Sequence, residues 1–344
     1  MLELTARCNN NCQHCYINLP KTDPDAQKKE LSFEQIKNIV DASVSLGTLW
    51  FLLSGGEPLL RPDFFDIYRY LKKQGILVSV FTNASLITEE HIQLFKKYPP
   101  RDIEVTVYGI TEKTHRRVTG KNTFAATMAG IDRLFSNSLP VTLKSTLMKS
   151  NVQEIDQIAD FCRSKSKHPF RFDPFLHLRL DRNPDKNKKI ISERLSPDEI
   201  FAIEKNDPAR FEALSQKCRK IETLNTSPDN PARLFRCMAG INSCCVDYTG
   251  TFKLCSALGN EACIYDLKKG SLAHAWNAFT PKVIQMDSKN PLFTESCGNC
   301  TLHDICSWCP AHADLETGML DGQTNYFCNV AKKRINLSQN LQES

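Results

Sequence analysis

A chain of 344 residues is longer than one small domain needs, which predicts a large domain with a smaller companion. Its net charge of +5 comes from scattered Lys and Arg, and the densest knots, "KSKH" at 165–168 and "KNKK" at 186–189, are too short for a nucleic-acid surface. Glu3 and Arg7 interrupt the start before an export signal can form, and the longest apolar run, 49–53, is far too short to span a bilayer; the expectation is a soluble cytoplasmic protein with no nucleic-acid or membrane partner.

In chain order, β-rich runs at 2–5, 49–53, 76–82, 102–108, 140–148 and 170–176 alternate with amphipathic stretches at 32–46, 63–74, 88–98, 123–136 and 152–166. Ser32 with Gln35 three residues on, and Thr88 before two Glu, open helices. Six such repeats predict an α/β fold with a parallel sheet, either a partial (β/α)6 TIM-like barrel or a doubly wound sheet. Residues 181–189 read as a polar loop, Ser196-Pro197 as a helix start and 225–233 as a breaker-rich connection. The expected division is a core over 1–195, linker helices over 196–236 and a cysteine-rich domain over 237–344, in which 246–254 reads as a hairpin turned at Asp247–Gly250.

Cysteine usage is the anomaly. Ten of the fifteen cysteines fall between Cys218 and Cys309, and Cys328 follows; in a reducing compartment this concentration points to metal or redox chemistry. Cys8, Cys12 and Cys15 are spaced C-x3-C-x2-C directly after the first strand. Three thiolates suit a [4Fe–4S] cluster with one iron left open, or a zinc ion completed by His14 or a distant residue. A second signature, Gly55-Gly56-Glu57-Pro58, stands at the carboxyl end of the second strand, where α/β folds place ligands; paired glycines let a ligand approach the backbone and a carboxylate suits an ammonium.

Together these motifs resemble the radical S-adenosylmethionine (SAM) superfamily over about residues 2–178. The resemblance implies that Cys8, Cys12 and Cys15 hold the cluster and that SAM chelates its open iron. It also implies that His14 lies near the adenine, that Gly55, Gly56 and Glu57 bind the methionine ammonium, and that Asn83, Thr106 and Ser145 contact ribose or carboxylate. The chemistry implied is one-electron cleavage of the sulfonium to a 5′-deoxyadenosyl radical that abstracts a substrate hydrogen.

The array Cys237-x12-Gly250-x4-Cys255, then Cys297-x2-Cys300-x5-Cys306-x2-Cys309 and Cys328, contains two C-x2-C pairs that a zinc ribbon would also show. As a whole it resembles the SPASM extension, which implies two auxiliary [4Fe–4S] clusters and three in total. One would take Cys297, Cys300, Cys306 and Cys328; the other would take Cys237, Cys255, Cys309 and Cys244, with Cys245 competing. The final x2 spacing, where x3 is common, departs from the pattern, and the doubled Cys244-Cys245 leaves a three-ligand cluster open. Cys162, Cys218 and Cys263 read as core. Enzymes with this extension mostly modify or crosslink peptides, so the expected partners are a peptide or small-protein substrate, a separate leader-binding protein, and flavodoxin or ferredoxin as electron donor. Tetrapyrrole side-chain modification is the alternative, and an iron–sulfur carrier is the alternative of another class. No catalytic acid or base is identified; Asp173, Tyr108 and Arg117 are candidates by position alone.

Overall fold

A computed structural model describes residues 1–224 and 229–340, so part of the expected 225–233 connection lies outside the described residues. Eleven strands occur among them: β1 (Leu2–Glu3), β2 (Arg7–Cys8), β3 (Leu19–Pro20), β4 (Trp50–Ser54), β5 (Leu77–Thr82), β6 (Asp102–Thr106), β7 (Val141–Thr146), β8 (Arg171–Asp173), β9 (Cys245–Val246), β10 (Thr251–Lys253) and β11 (Ile264–Asp266). Six of them, β1 and β4–β8, run parallel in chain order, and β2 pairs with β3 beside them.

The helices α1 (Pro24–Lys29), α2 (Phe33–Ser45), α3 (Phe64–Lys73), α4 (Glu89–Lys97), α5 (Glu112–Thr119), α6 (Phe124–Ser136) and α7 (Ile155–Lys165) return the chain between strands. Local chemistry starts them as read: Ser32 and Gln35 form a reciprocal capping box at α2, and the Thr88 N–H donates to His91 Nδ1 at α4. One face of the sheet is apolar. Leu53, Val78, Ile103 and Val105 are fully buried against α2–α4, α6 and α7, each contributing roughly 1.5–3 kcal/mol by removal from water. A carboxylate at Val105 would break this layer. The opposite face carries Ser54, Phe81, Glu104, Lys144 and Arg171, with Glu104 bridging both cations; it is the polar inner wall of a partial (β/α)6 barrel.

The 181–189 segment is a correction. It enters helix α8 (Pro184–Glu193), because Asn183 caps the Lys186 N–H and Pro184 takes the first helical position, where its missing N–H costs nothing. Next come α9 (Pro197–Asn206), with a Ser196–Glu199 capping box, and α10 (Pro208–Leu224). The hairpin at 246–254 forms as expected, closed by Gly250 N–H to Asp247 O at 3.0 Å. It does not stand apart. Val246 pairs with Leu2, so β9, β10 and β11 extend the barrel sheet past β1 to nine strands. Beyond it, Leu234, Phe235, Leu254, Leu258, Val283, Phe293 and Ala311 form a smaller core near α11 (Pro310–Thr317), and α12 (Asn325–Asn340) packs on α9 and α10.

Candidate metal centre

Cys8 closes β2 at the mouth of the barrel, and Cys12 and Cys15 follow in an irregular loop. The Asn10 N–H donates to Cys8 Sγ at 3.4 Å, and Asn83 Nδ2 reaches the same sulfur at 3.9 Å and Asn9 Oδ1 at 2.9 Å. Burial pushes the Cys8 thiol up to about 12, with Glu57 and Cys15 adding to it. Cys12 is raised by burial and then by Cys15 and Cys8. Burial also raises the Tyr108 phenol, and Cys12, Cys15 and Cys8 push it further; its hydroxyl bonds to Cys12. The His14 ring lies 5.1 Å from Tyr108; burial lowers its pKa to about 4, and its buried Nδ1 has no protein partner. The donor set fits an iron–sulfur cluster: free thiols gathered at one mouth, donors already aimed at a sulfur, and one orphaned ring nitrogen left for a ligand.

The Gly55-Gly56-Glu57 loop packs tightly against the start of the chain. A Cβ on Gly55 would come within 2.3 Å of Thr5 O, and one on Gly56 within 2.4 Å of Arg7 O. Glycine is required because the loop lies against residues 5–7, and Gly56 and Glu57 N–H groups bond to Thr5 O and Arg7 O. The fully buried Glu57 carboxylate already accepts from Leu59 N (3.1 Å), Thr82 Oγ1 (2.9 Å) and Asn83 N (2.8 Å). Burial raises its pKa to about 7 against those three donors. The loop thus braces the entry to Cys8.

Thr106 belongs to the inner wall with Lys144, next to the Tyr108 hydroxyl. Ser145 is on the helix-covered face; it is buried, and its hydroxyl donates to Val107 O at 2.7 Å. Asp173 accepts from Phe175 N, and Arg117 is tied to Ser150 O and, through its own carbonyl, to Gln13. Sequence reading missed Arg179. This 2%-exposed guanidinium donates to Cys15 O (2.9 Å), Asn18 Oδ1 (2.8 Å) and Asp181 Oδ2 (2.6 Å), clamping the end of the cysteine loop. The available signal was an Arg within the alternating segment Leu176-His177-Leu178-Arg179-Leu180. Glu3 and Lys253 are likewise buried charges that the sequence hid in strand-like runs.

Among the later thiols, Cys297, Cys300 and Cys328 act on Cys306, while Cys237, Cys255, Cys263 and Cys309 are linked to one another through Cys255. Burial raises Cys306 to about 11 against the Trp308 N–H, and Cys300, Cys328 and Cys297 add to it. Burial raises Cys309 to about 12; the His312 N–H at the start of α11 opposes this, and Cys255 and Cys237 reinforce it. Cys263 is raised to about 12 by burial, Asp314 and Cys255, whereas the charge acting on Cys244 is the N-terminal ammonium. Among the described residues no three His, Cys, Asp or Glu side chains converge as on a single ion. Thiolates that each take a different corner of a cluster stand further apart.

Residues 2–162 match the radical SAM superfamily. The chain is 26% identical to the AdoMet-dependent heme synthase of Methanosarcina barkeri over 92% of both chains. It is also 26% identical to the Bacillus subtilis antilisterial bacteriocin subtilosin biosynthesis protein AlbA, over 89% of this chain and 70% of that one. Its fold is shared with Streptococcus suis SuiB bound to precursor peptide SuiA at a TM-score of 0.69 and 14% identity, over 95% of this chain and 74% of that one. Residues 2–162 are therefore a radical SAM domain, and the chain is an enzyme of that kind, which implies a [4Fe–4S] cluster and SAM. Among the described residues no helix is long and apolar enough to cross a membrane.

Proposed function

We propose that this enzyme oxidatively modifies or crosslinks a ribosomal peptide, using three [4Fe–4S] clusters. The supporting observation is the second field of thiols, which gathers Cys297, Cys300, Cys306 and Cys328 in one group and Cys237, Cys255 and Cys309 in another, on a fold shared with a peptide-bound enzyme. Cys8, Cys12 and Cys15 hold the SAM-binding cluster, and Cys244 completes the set of Cys237, Cys255 and Cys309. Residues 1–195 form the radical SAM core, 196–236 the linker and 237–344 the SPASM domain. When bound, the SAM cluster supplies the 5′-deoxyadenosyl radical, and an auxiliary cluster offers the electron left by hydrogen abstraction a place to go.

The protein's own residues prepare that chemistry. Tyr108 and His14 wall the three thiols from water, Asn83 and the Asn10 N–H steady Cys8, and Gly55, Gly56 and Glu57 brace the loop while their backbone meets the SAM ammonium. Thr106 borders the ribose. A cytoplasmic setting suits fifteen free cysteines, with flavodoxin or ferredoxin as reductant and a separate leader-binding protein delivering the peptide. The test is anaerobic incubation with the short peptides encoded beside the gene, read by mass spectrometry. A loss of two hydrogens in one of them supports the reading. Turnover of an iron tetrapyrrole, with every peptide unchanged, supports instead the second reading favoured by the heme synthase relative.

A further inference from the structure

A cavity of about 340 Å³ opens between β1, the turn that follows Cys15 and the β9–β10 hairpin. Glu3, Tyr16, Arg179, Asp247 and Lys253 line it, so both cysteine regions contribute to one space. The sheet register explains why. Glu3 lies opposite Ser54 and Lys253 opposite Cys245, on the inner face, while their neighbours Leu2 and Phe252 are turned to the helices.

The charges here are unfinished. Glu3 is 2% exposed, yet among the described residues its carboxylate accepts only the Tyr16 hydroxyl, at 3.3 Å, and its other oxygen receives no protein donor. Lys253 is 3% exposed and bridges Asp247 at 3.4 Å, which leaves donors on its ammonium. No ion pair closes between Glu3 and Lys253. Arg179 offers nothing further, because Cys15, Asn18 and Asp181 take its nitrogens. Buried polar groups left open toward a cavity are the convergent features by which a ligand site is recognised. Glu3 and Lys253 act on each other without closing an ion pair, so the cavity presents an acceptor and a donor, the two groups an amide needs. Three carboxylates against two cations make it a poor host for a polycarboxylate.

We propose that this cavity docks a peptide amide of the substrate, its N–H on Glu3 and its C=O on Lys253. This assignment rests on the peptide reading and names the residues that carry recognition. The test uses reconstituted holoenzyme and ligand-observed NMR with three probes: N-acetylglycine methylamide, propionate and propylammonium. The diamide should show saturation transfer and bind at least about tenfold more weakly to Glu3→Gln and to Lys253→Met, the loss expected for one hydrogen bond to a charged group. Propionate or propylammonium binding more tightly than the diamide, no transfer from the diamide, or equal diamide binding in both variants would overturn the assignment. A second measurement separates this inference from its premise. With any peptide that the wild-type enzyme modifies, KM should rise about tenfold in Lys253→Met; an unchanged KM removes the cavity from recognition and leaves the peptide reading standing. If Glu3→Gln fails to fold, Lys253→Met and the wild-type probe ranking decide the matter.

Discussion

The two cysteine regions are built on opposite plans. The first is wired into the barrel before any metal arrives: Gly56 and Glu57 bond to residues 5–7, Asn83 reaches Asn9 and Cys8, and Arg179 grips Cys15. Arg7 and Glu30 add a nearly buried ion pair at 2.7 Å. The second region has short helical turns, a three-strand edge and a small apolar cluster, and its thiols share few such braces. A prebuilt loop imposes geometry on its cluster. A loosely built one takes stability from it, because in such domains metal binding is folding free energy.

Four measurements test this difference between the two regions. Replacing Cys8, Cys12 and Cys15 together with Ala should abolish SAM cleavage while leaving about eight of about twelve irons per chain, with native circular dichroism. Iron near four in the unmutated chain, with zinc present, would remove the auxiliary clusters altogether. Cys328→Ala should reduce peptide conversion by orders of magnitude and lower the unfolding temperature, while SAM cleavage without substrate falls far less. Equal losses in both activities would show that the two regions depend on each other. Glu57→Ala should destabilise the barrel by about 1–3 kcal/mol for each of the three donors left bare, and weaken SAM binding as a consequence. SAM affinity lost without any loss of stability would mean that Glu57 meets the ligand directly.

The smallest effect concerns pH. Burial holds His91 at about 4, below its ordinary 6.5, so its neutral form stabilises the fold fully above pH 6.5 and loses that contribution as pH falls through 4. His91→Gln keeps an acceptor for the Thr88 N–H and should flatten this part of the stability curve, as followed by urea unfolding at several pH values. An unchanged curve would place the acid sensitivity at other buried histidines, such as His115 or His312.

Much of the barrel was legible because period-two apolar runs and amphipathic helices are local signals. Ile76–Thr82 was read one residue wide of the observed β5, and α2 began at the residue its cap announced. The helix over 184–193 was not, since its charged sequence hides a single apolar anchor, Ile190, and only the Asn183-Pro184 start betrays it. The three-cysteine loop could be found from spacing alone. What paired glycines do could not: whether they clear room for a ligand or for residues 5–7 depends on a chain segment fifty residues earlier. Ser145 faced away for a similar reason, since a one-residue difference in register decides which side of the sheet a hydroxyl meets. Arg179, Glu3 and Lys253 owe their burial to distant partners, and no local pattern encodes that.

The pairing of Leu2 with Val246 also sets a timetable for synthesis. β1 can find β4 once about sixty residues are made, but its other edge has no partner until the hairpin leaves the ribosome. At about 5–20 residues per second that interval is roughly 10–40 seconds. Throughout it the nascent chain carries an open strand edge, the kind of surface that recruits other strands. A slowed or truncated translation product ending before residue 245 should therefore aggregate, even though all six parallel strands of its barrel are complete.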